Sequence, residues 1–249
     1  MARRARTSTV DTDEVARFSA LAADWWDASG PMAPLHRLNP VRLAWIKAEV
    51  TATFGRDPKG ADAYAGLRML DVGCGAGLVA EPFRRLGGKI VAIDPSEENI
   101  AVARLHAAEA GLAIDYRATT AEELSEAGAR FDVVTALEVV EHVTDVPAFI
   151  GACAAMVKPG GLLIVATINR TAKAFALAIV GAEYLLRWLP RGTHRYDRLV
   201  TPKELEAAFA DAGLSVAAET GIMYVPIADT WRQTADMDVN YMMAAERPA

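Results

Sequence analysis

This chain has few cysteines, no net positive charge and no long apolar run. Its 249 residues include two cysteines, Cys74 and Cys153, which form neither a CxxC pair nor the spacing of a zinc site. So few cysteines favour a reducing compartment, and we expect a cytoplasmic protein. The net charge of −6 argues against a general nucleic-acid binder. No uncharged apolar run, Ala174 to Ala182 included, approaches the roughly 20 residues that span a bilayer.

Two common nucleotide-binding motifs are also missing. The stretch "MLDVGCGAGLVAEPF" has three alternating glycines, Gly73, Gly75 and Gly77. Leu78 stands where a dinucleotide loop would have its last glycine, and the one Gly-Lys pair, at Gly88, has no glycine five residues earlier as a P-loop would. No tyrosine is followed four residues later by lysine. These absences weaken an NAD(P)-dependent oxidoreductase, which stays the alternative from another reaction class.

The first 60 residues have the pattern of a helical cap. "DTDEVARFSALAADWWD" has apolar positions at helical spacing behind a capping Asp or Thr. A second helix is predicted from Asn39, with Pro40 at its first position. We therefore divide the chain into an N-terminal helical cap, 1–60, and a core, 61–249, which together form a single domain.

From residue 66 onward, short apolar strands alternate with amphipathic helices. The predicted strands are Arg68–Val72, Ile90–Asp94, Ile114–Arg117, Phe131–Leu137 and Leu162–Thr167. The helices include "SEENIAVARLHAAEAG", which ends at Gly111, and "TPKELEAAFADAGL", which begins at Thr201. This alternation predicts an α/β fold with a doubly wound, mostly parallel sheet. Two later extended stretches, 215–225 and 238–245, predict an antiparallel C-terminal edge strand.

The glycine turn and the strand after it indicate a nucleoside-containing cofactor. Gly73, Gly75 and Gly77 let the backbone fold tightly and approach a ligand, because glycine has no Cβ. Asp94 ends the second strand beside this turn, where its carboxylate can accept hydrogen bonds from ribose hydroxyls. Glycine turns and strand-end aspartates are each common. Their combination with the spacing from Asp71 to Asp94 makes the cofactor site the favoured interpretation.

The segment "LEVVEHV", residues 137–143, places ligand-capable side chains where a buried strand ends. If the chain becomes helical at Glu138, then Glu138, Glu141 and His142 share one helix face and point into the crevice at the carboxyl end of the sheet. Two carboxylates and an imidazole can bind Mg²⁺ or Zn²⁺. Alternatively, His142 or Glu138 acts as a general base without a metal.

Several segments together resemble a known family. "LDVGCGAG", "AID", "FDVVTALEVVEHV" and "VKPGG" resemble S-adenosylmethionine-dependent methyltransferases of the Rossmann-like superfamily, over about residues 66 to 245. "FSALAADWWD", "PLHRLNPVRL", "TINRTAKAF", "VGAEYLLRWLPRGTH" and "DVNYM" resemble the ubiquinone-biosynthesis O-methyltransferases. Members of that family methylate 2-polyprenyl-6-hydroxyphenol and 3-demethylubiquinol. The resemblance implies both O-methylation steps of ubiquinone biosynthesis.

The resemblance also assigns roles to particular residues. It implies S-adenosyl-L-methionine contacts at Gly73, Asp94 and Leu137, and at Arg42 through the methionine carboxylate, although sequence alone favours a solvated helix arginine at position 42. Thr120 and Ala121 correspond to the loop at the adenine edge. Members of the family look metal-dependent, which favours Glu138, Glu141 and His142 as ligands of a divalent cation. Bound to adjacent phenolic oxygens, the cation would stabilise the phenolate that attacks the methyl group.

Residues 169–200 form a basic, apolar insertion that is longer than a strand-to-helix connection requires. The insertion has six basic residues against two acidic ones, in a chain whose net charge is −6. Such a segment suits an anionic membrane surface or a lid over an apolar substrate, and it also suits a packing helix whose arginines are solvated. A polyprenyl tail favours the membrane. We therefore expect peripheral association with the inner membrane, and the family implies other ubiquinone-biosynthesis enzymes as further partners.

The leading hypothesis is thus an O-methyltransferase that acts on polyprenylated phenols. A closer alternative keeps the chemistry but has another small phenol as acceptor. A third hypothesis, a non-catalytic cofactor-binding or scaffold protein, is disfavoured by the glycine turn, Asp94 and the Glu/His cluster.

Overall fold

An eight-stranded sheet forms the centre of the computed structural model, which describes residues 8–177 and 195–249. The strands are β1 (Arg68–Val72), β2 (Lys89–Asp94), β3 (Asp115–Ala118), β4 (Phe131–Leu137), β5 (Val157–Ile168), β6 (Ser215–Val225), β7 (Thr230–Thr234) and β8 (Asn240–Glu246). Their order in the sheet is β3-β2-β1-β4-β5-β8-β6-β7. The first five are parallel and the last three antiparallel, which confirms the predicted α/β class with its antiparallel C-terminal portion.

The predicted strands match the structure best where they are fully buried. β1 and β4 have the predicted bounds, whereas β5 begins five residues earlier than expected, at Val157. This early part pairs with Phe131 through a register shift in β4, so the "VKPGG" turn belongs to the strand. β7 was not predicted, because most of its side chains are exposed and no apolar alternation marks it.

Seven helices surround the sheet in the described ranges. They are α1 (Thr12–Ser19), α2 (Ala33–Thr53), α3 (Ala80–Arg85), α4 (Glu97–Glu109), α5 (Ala121–Glu126), α6 (Val146–Ala155) and α7 (Pro202–Asp211). Asp11 caps α1 through hydrogen bonds from the backbone N–H groups of Asp13 and Glu14. Thr201 caps α7 in a capping box with Glu204, as its sequence predicts. A further short turn, Ala172–Ala174, begins the described part of the insertion, whose residues 178–194 lie outside the described ranges.

The second helix begins earlier than the sequence indicated. We predicted a start at Asn39, but α2 begins at Ala33 with Pro34 in its first turn, and Pro40 lies inside the helix. Proline is tolerated in a first turn because its missing N–H has no helical partner there. Asn39 is therefore not a cap, and its side chain contacts Leu78 and Arg42 instead.

The helices cover both faces of the sheet, so that two apolar layers form. One layer packs α5, α6 and α7 around residues such as Phe131, Ile150 and Phe209. The other packs α2, α3 and α4 around Ile46 and Phe83. The carboxyl ends of the parallel strands lie beside α1 and α2, so the glycine turn after β1, the end of β2 and the end of β4 are side by side. Within residues 8–177 and 195–249, no helix is long and apolar enough to cross a membrane.

Candidate functional site

The three glycines of the turn after β1 all have positive φ angles, 68° at Gly73, 51° at Gly75 and 93° at Gly77. A Cβ at these positions would collide with the side chains of Val139, Trp25 and Tyr116, respectively. We expected the glycines to allow close approach of a ligand. In the structure, a protein side chain lies close to each of the three glycines. Of the three, only Gly73 lines the cavity that Asp94 and Leu137 also line.

Asp94 lies at the end of β2 and holds the glycine turn. Its carboxylate accepts hydrogen bonds from the backbone N–H of Gly75 at 3.0 Å and of Ser96 at 2.9 Å, and from Nδ2 of Asn99 at 3.3 Å. Burial raises the pKa of Asp94, and these three donors oppose the rise. A carboxylate can accept about four hydrogen bonds, so a ligand donor can still be accommodated. Asp94 lines the cavity, where the sequence predicted a ribose contact.

Asp71, the last residue but one of β1, borders the cavity and was not selected by the sequence analysis. Its Oδ1 accepts a hydrogen bond from Thr135 Oγ1 at 2.8 Å. Its Oδ2 is buried and has no hydrogen-bond partner among the described residues. Burial raises the pKa of Asp71 to about 7, against the opposing effects of Thr135 and the Arg42 guanidinium. A buried acceptor without a partner is costly, which indicates that a ligand donor belongs here.

Arg42 is buried at 3% exposure, so the solvated-arginine interpretation is wrong. Its guanidinium donates to Glu138 Oε1 at 3.2 Å and to Asn39 Oδ1. Asn39 in turn donates from Nδ2 to the carbonyl of Leu78, at 3.3 Å, just beyond the glycine turn. Arg42 therefore reaches the site from α2, as the family resemblance implied, and in the structure its partner is a protein carboxylate.

The "LEVVEHV" segment does not continue as an α-helix. Glu138 has a φ angle of +55°, and a single 3₁₀ turn follows at Val140–His142. The prediction that Glu138, Glu141 and His142 share one helix face is therefore wrong. Positive φ is uncommon for a residue with a Cβ, and here it turns the chain sharply at the end of β4. The three side chains consequently do not project from one helix face.

Each of these three side chains has its own protein partner. Glu138 binds Arg42, and Glu141, at 3% exposure, accepts from Thr167 Oγ1 at 2.8 Å. Burial, together with the neighbouring Glu138 charge, raises the pKa of Glu141 well above its usual range. His142 Nδ1 lies 2.9 Å from Oε2 of Glu14, on α1.

This arrangement does not fit a divalent cation. In the part of the chain that the structure describes, no three His, Cys, Asp or Glu side chains are placed together as metal ligands. A metal site prefers carboxylates that are ionised and directed at a common point. Glu141 points at a core hydroxyl and favours its protonated form, so the predicted ligand set is not assembled.

The other predicted contacts also border the cavity. Thr120 is the N-cap of α5, and its hydroxyl accepts the backbone N–H of Glu123 at 3.2 Å. Ala121 is the first residue of that helix and is buried. Leu137, the last residue of β4, is 9% exposed. All three line the same cavity as Gly73 and Asp94, as the proposed adenosyl pocket requires.

The cavity has a volume of about 770 Å³ and two chemically distinct ends. The end beside the glycine turn is bordered by carboxylates of β1, of β2 and of Glu138, which follows β4. The opposite end is bordered by side chains of the β6–β7 hairpin, which lies at the far edge of the sheet from β2: Ile222, Met223, Tyr224 and Trp231. Apolar residues of α2 also line the cavity: Pro34, Leu35 and Leu38. Residues of α1 lie along the cavity between the two ends, including Glu14 and Phe18.

Negative side chains outnumber positive ones around this space. Among the described lining residues, seven are acidic (Asp11, Glu14, Asp71, Asp94, Glu122, Glu138 and Asp236) and three are Lys or Arg (Arg17, Arg42 and Lys173). Walls of low dielectric strengthen the field of such a charge distribution. The cavity therefore favours a ligand that carries positive charge at the glycine-turn end.

Known proteins match the sequence of this chain over most or all of its length. A family model described as a methyltransferase domain matches residues 39–219. The ubiquinone biosynthesis O-methyltransferase of Chelativorans sp. (strain BNC1) is 59% identical over 244 residues, which cover 98% of this chain and 96% of that protein. The protein of the same name from Brucella ovis (strain ATCC 25840 / 63/290 / NCTC 10512) is 58% identical over 249 residues, with 100% of both chains covered.

A solved structure shares the fold. Magnesium protoporphyrin IX methyltransferase from Synechocystis PCC 6803, solved with bound SAM, superposes with a TM-score of 0.61 over 97% of this chain and 100% of that chain. At 16% sequence identity this likeness concerns the fold alone. The matched domain and the full-length relatives go further, and by them the chain belongs to the ubiquinone biosynthesis O-methyltransferase family.

Proposed function

We propose that this protein transfers a methyl group from S-adenosylmethionine to a phenolic oxygen of polyprenylated ubiquinone precursors, at both O-methylation steps. The observation that carries the proposal is the unpaired, buried Oδ2 of Asp71 beside Asp94 and the glycine turn. The methyl donor carries an ammonium and a sulfonium, and these are the cationic groups that the acidic end of the cavity would attract. Asp94 offers its remaining acceptor capacity to the ribose.

The reaction releases the phenolic proton, which a base must accept. In the transfer, the phenolic oxygen forms a bond to the methyl carbon, the C–S bond breaks, and its electron pair stays on sulfur as a neutral thioether. A phenol has a pKa of about 10 and is mostly protonated at neutral pH, so its proton must pass to a base as the oxygen attacks. We assign this role to His142, because its Nδ1 contact with Glu14 supports a proton-accepting Nε2. Glu138 is paired with Arg42 and serves to hold the turn.

The apolar end of the cavity suits the acceptor. Trp231 and Tyr224 form an aromatic pair whose ring centroids are 5.4 Å apart. Leu35 and Leu38 from α2 face the same space. Such a wall favours a substituted aromatic ring with an attached hydrocarbon over a small polar phenol.

A divalent cation is implied by the family resemblance, with Glu138, Glu141 and His142 as its ligands. Because these residues point to separate partners, we derive no catalytic step through a cation. The membrane surface is a further part of the proposal. Phe175 and Leu177, which precede the undescribed part of the insertion, are 46% and 56% exposed and could enter the interface of a bilayer.

The test is a methylation assay with three acceptors: a short-chain demethylubiquinol, a prenylated hydroxyphenol and unprenylated catechol. Mass spectrometry should find a mass gain of one methyl on both prenylated acceptors, at a kcat/KM at least about tenfold above that of catechol, in line with the burial of several CH₂ groups. Parallel reactions with chelator, and with chelator plus excess Mg²⁺ or Zn²⁺, test the cation. Equal activity on catechol would overturn the prenylated acceptor, and no methylation of any acceptor would overturn the proposed chemistry.

A further inference from the structure

The N-terminal helix α1 contributes a carboxylate to the centre of the site. Glu14 Oε2 lies 2.9 Å from His142 Nδ1, and both side chains are mostly buried, at 16% and 14% exposure. The two residues are 128 positions apart in the chain, so this contact forms only when α1 lies over the cavity. Phe18, one helical turn further along α1, meets the His142 ring edge to face with centroids 5.1 Å apart.

We propose that Glu14 is a positioning residue that fixes the ring of His142 for the methyl transfer. The inference rests on the proposed function, in which His142 handles the phenolic proton. It adds to that function a residue from outside the methyltransferase core, since the matched domain model begins at residue 39.

Hydrogen bonding to one ring nitrogen determines what the other can do. When Nδ1–H donates to Glu14, the neutral ring carries its lone pair on Nε2, and the ring orientation is fixed by the same bond. The carboxylate also stabilises the charged ring once it has accepted a proton.

Polar contacts hold the helix that carries Glu14, in addition to the packing of Phe18. No residue of α1 is fully buried. Its N-cap, Asp11, pairs with Arg198 at 2.7 Å, and Thr9 donates to the buried carboxylate of Glu122. Arg17 forms an ion pair with Glu14 on the same Oε2 that contacts His142, which holds the carboxylate in place. The position of Glu14 is therefore set by a network of polar contacts that closes α1 over the cavity.

The experiment compares Glu14→Ala, Glu14→Gln and the control Asp13→Asn, in the full-length protein. Asp13 is exposed on the same helix turn, so its variant changes the helix charge without touching His142. We expect Glu14→Ala to lower kcat by about 10- to 100-fold, as loss of an orienting partner of a functional histidine typically does. Donor affinity by calorimetry and KM for the acceptor should stay within about twofold. Glu14→Gln, which keeps an acceptor for Nδ1–H, should recover part of kcat.

A second measurement reports on the ring itself, without turnover. The chain has four histidines, so the ¹⁵N resonances of His142 can be assigned with a His142→Gln variant. We expect a single tautomer with the proton on Nδ1 in the wild type and in Glu14→Gln, and a mixture in Glu14→Ala. An unchanged kcat in Glu14→Ala, or parallel losses in kcat, donor affinity and melting temperature, would overturn the positioning role. An inactive wild type with the expected tautomer shift would instead count against the proposed function alone.

Discussion

The guanidinium of Arg42 donates to Oε1 of Glu138 at 3.2 Å, and this contact joins α2 to the sharp turn after β4. Glu138 has a positive φ angle at that point, a conformation that costs of order 1–3 kcal/mol for a residue with a Cβ. The ion pair offsets part of this cost. As a result, the turn that carries Glu141 and His142 is held in place by a residue 96 positions away, in the N-terminal portion of the chain.

We predict that Arg42→Met lowers the free energy of unfolding by about 3–5 kcal/mol, because it leaves the half-buried Glu138 and the buried Asp71 without their cation. Urea unfolding followed by circular dichroism measures this. Arg56→Met, at an exposed arginine just past the end of α2, is the control and should change stability by less than about 0.5 kcal/mol. Adding Glu138→Gln to Arg42→Met should restore part of the loss. If Arg42→Met is as stable as the control, the ion pair does not hold the turn.

Asp71→Asn should stabilise the free protein and weaken donor binding at once. Folding raises the pKa of the Asp71 carboxyl from 3.8 to about 7. The stability that this carboxyl contributes is therefore fully present below about pH 3.8 and is lost as the pH rises through about 7. The variant should therefore gain stability over the wild type from about pH 4 upward, with the gain levelling off above about pH 7. Each unit of pKa corresponds to about 1.4 kcal/mol, so the gain could reach a few kcal/mol.

Donor binding should show the opposite effect at this residue. Loss of a charge-assisted contact at Asp71 should raise the donor Kd by about 10- to 100-fold at pH 8. Wild-type affinity should increase as pH rises through about 7, and the variant should lack that increase. Calorimetry at four pH values with thermal melts checks both parts, and equal donor affinity in the two proteins would remove Asp71 from the site.

Asp94→Asn should weaken donor binding by a similar factor, because the amide carries no charge and has only one acceptor oxygen for Gly75, Ser96 and the ribose. Asp115→Asn, at the exposed start of β3, is the matched control. The measurement is the Kd of S-adenosylhomocysteine by calorimetry. A Kd within about twofold of wild type would show that Asp94 only supports the glycine turn.

The sequence predicted the parallel half of the fold well, and several of the cofactor contacts that it suggested line one cavity, for a physical reason. Buried strands such as β1 and β4 are mostly apolar, and few residues other than glycine adopt a positive φ, so both features leave clear local signals. Asp94 and Leu137 could be found in the same way, because each stands at a strand end that the pattern already marks.

Residues whose roles depend on distant partners could not be found this way. Asn39 looked like a helix cap because Pro40 follows it, yet Pro34 gives the same signal six residues earlier. Glu138 is oriented by Arg42 and His142 by Glu14, and both partners are distant in the sequence. No local sequence pattern predicts a positive φ at a glutamate. The sequence analysis noted Asp71 only for its spacing to Asp94, because the lack of a hydrogen-bond partner for its Oδ2 can be seen only in the folded structure.

Membrane binding should depend on exposed apolar residues more than the sequence suggested. The basic residues of 169–200 that the structure describes are each paired with a carboxylate: Arg170 with Glu204, Lys173 with Asp236, Arg195 with Asp197 and Arg198 with Asp11. Pairing reduces the charge available to a surface. We expect co-sedimentation with anionic vesicles at low salt, weakened by salt and much reduced on neutral lipid. Phe175→Ser with Leu177→Ser should abolish it, whereas Leu105→Ser, at a 62% exposed leucine on α4, should not. If the wild-type protein does not co-sediment with anionic vesicles at low salt, it has no such membrane-binding surface.

Trp231 offers the clearest test of where the acceptor binds. It lies on β7, packs against the second apolar layer and lines the cavity at the end away from Asp94. Truncating a large aromatic wall removes burial worth about 1.5–3 kcal/mol, so Trp231→Ala should raise KM for a prenylated acceptor by at least about tenfold. The donor Kd should be unchanged, because the two ends of the cavity are separate. Trp231→Phe should recover much of the loss, and Gln233→Ala, exposed on the same strand, should behave as wild type. If the donor Kd rises with KM in Trp231→Ala, the hairpin supports the whole cavity and the acceptor must lie elsewhere.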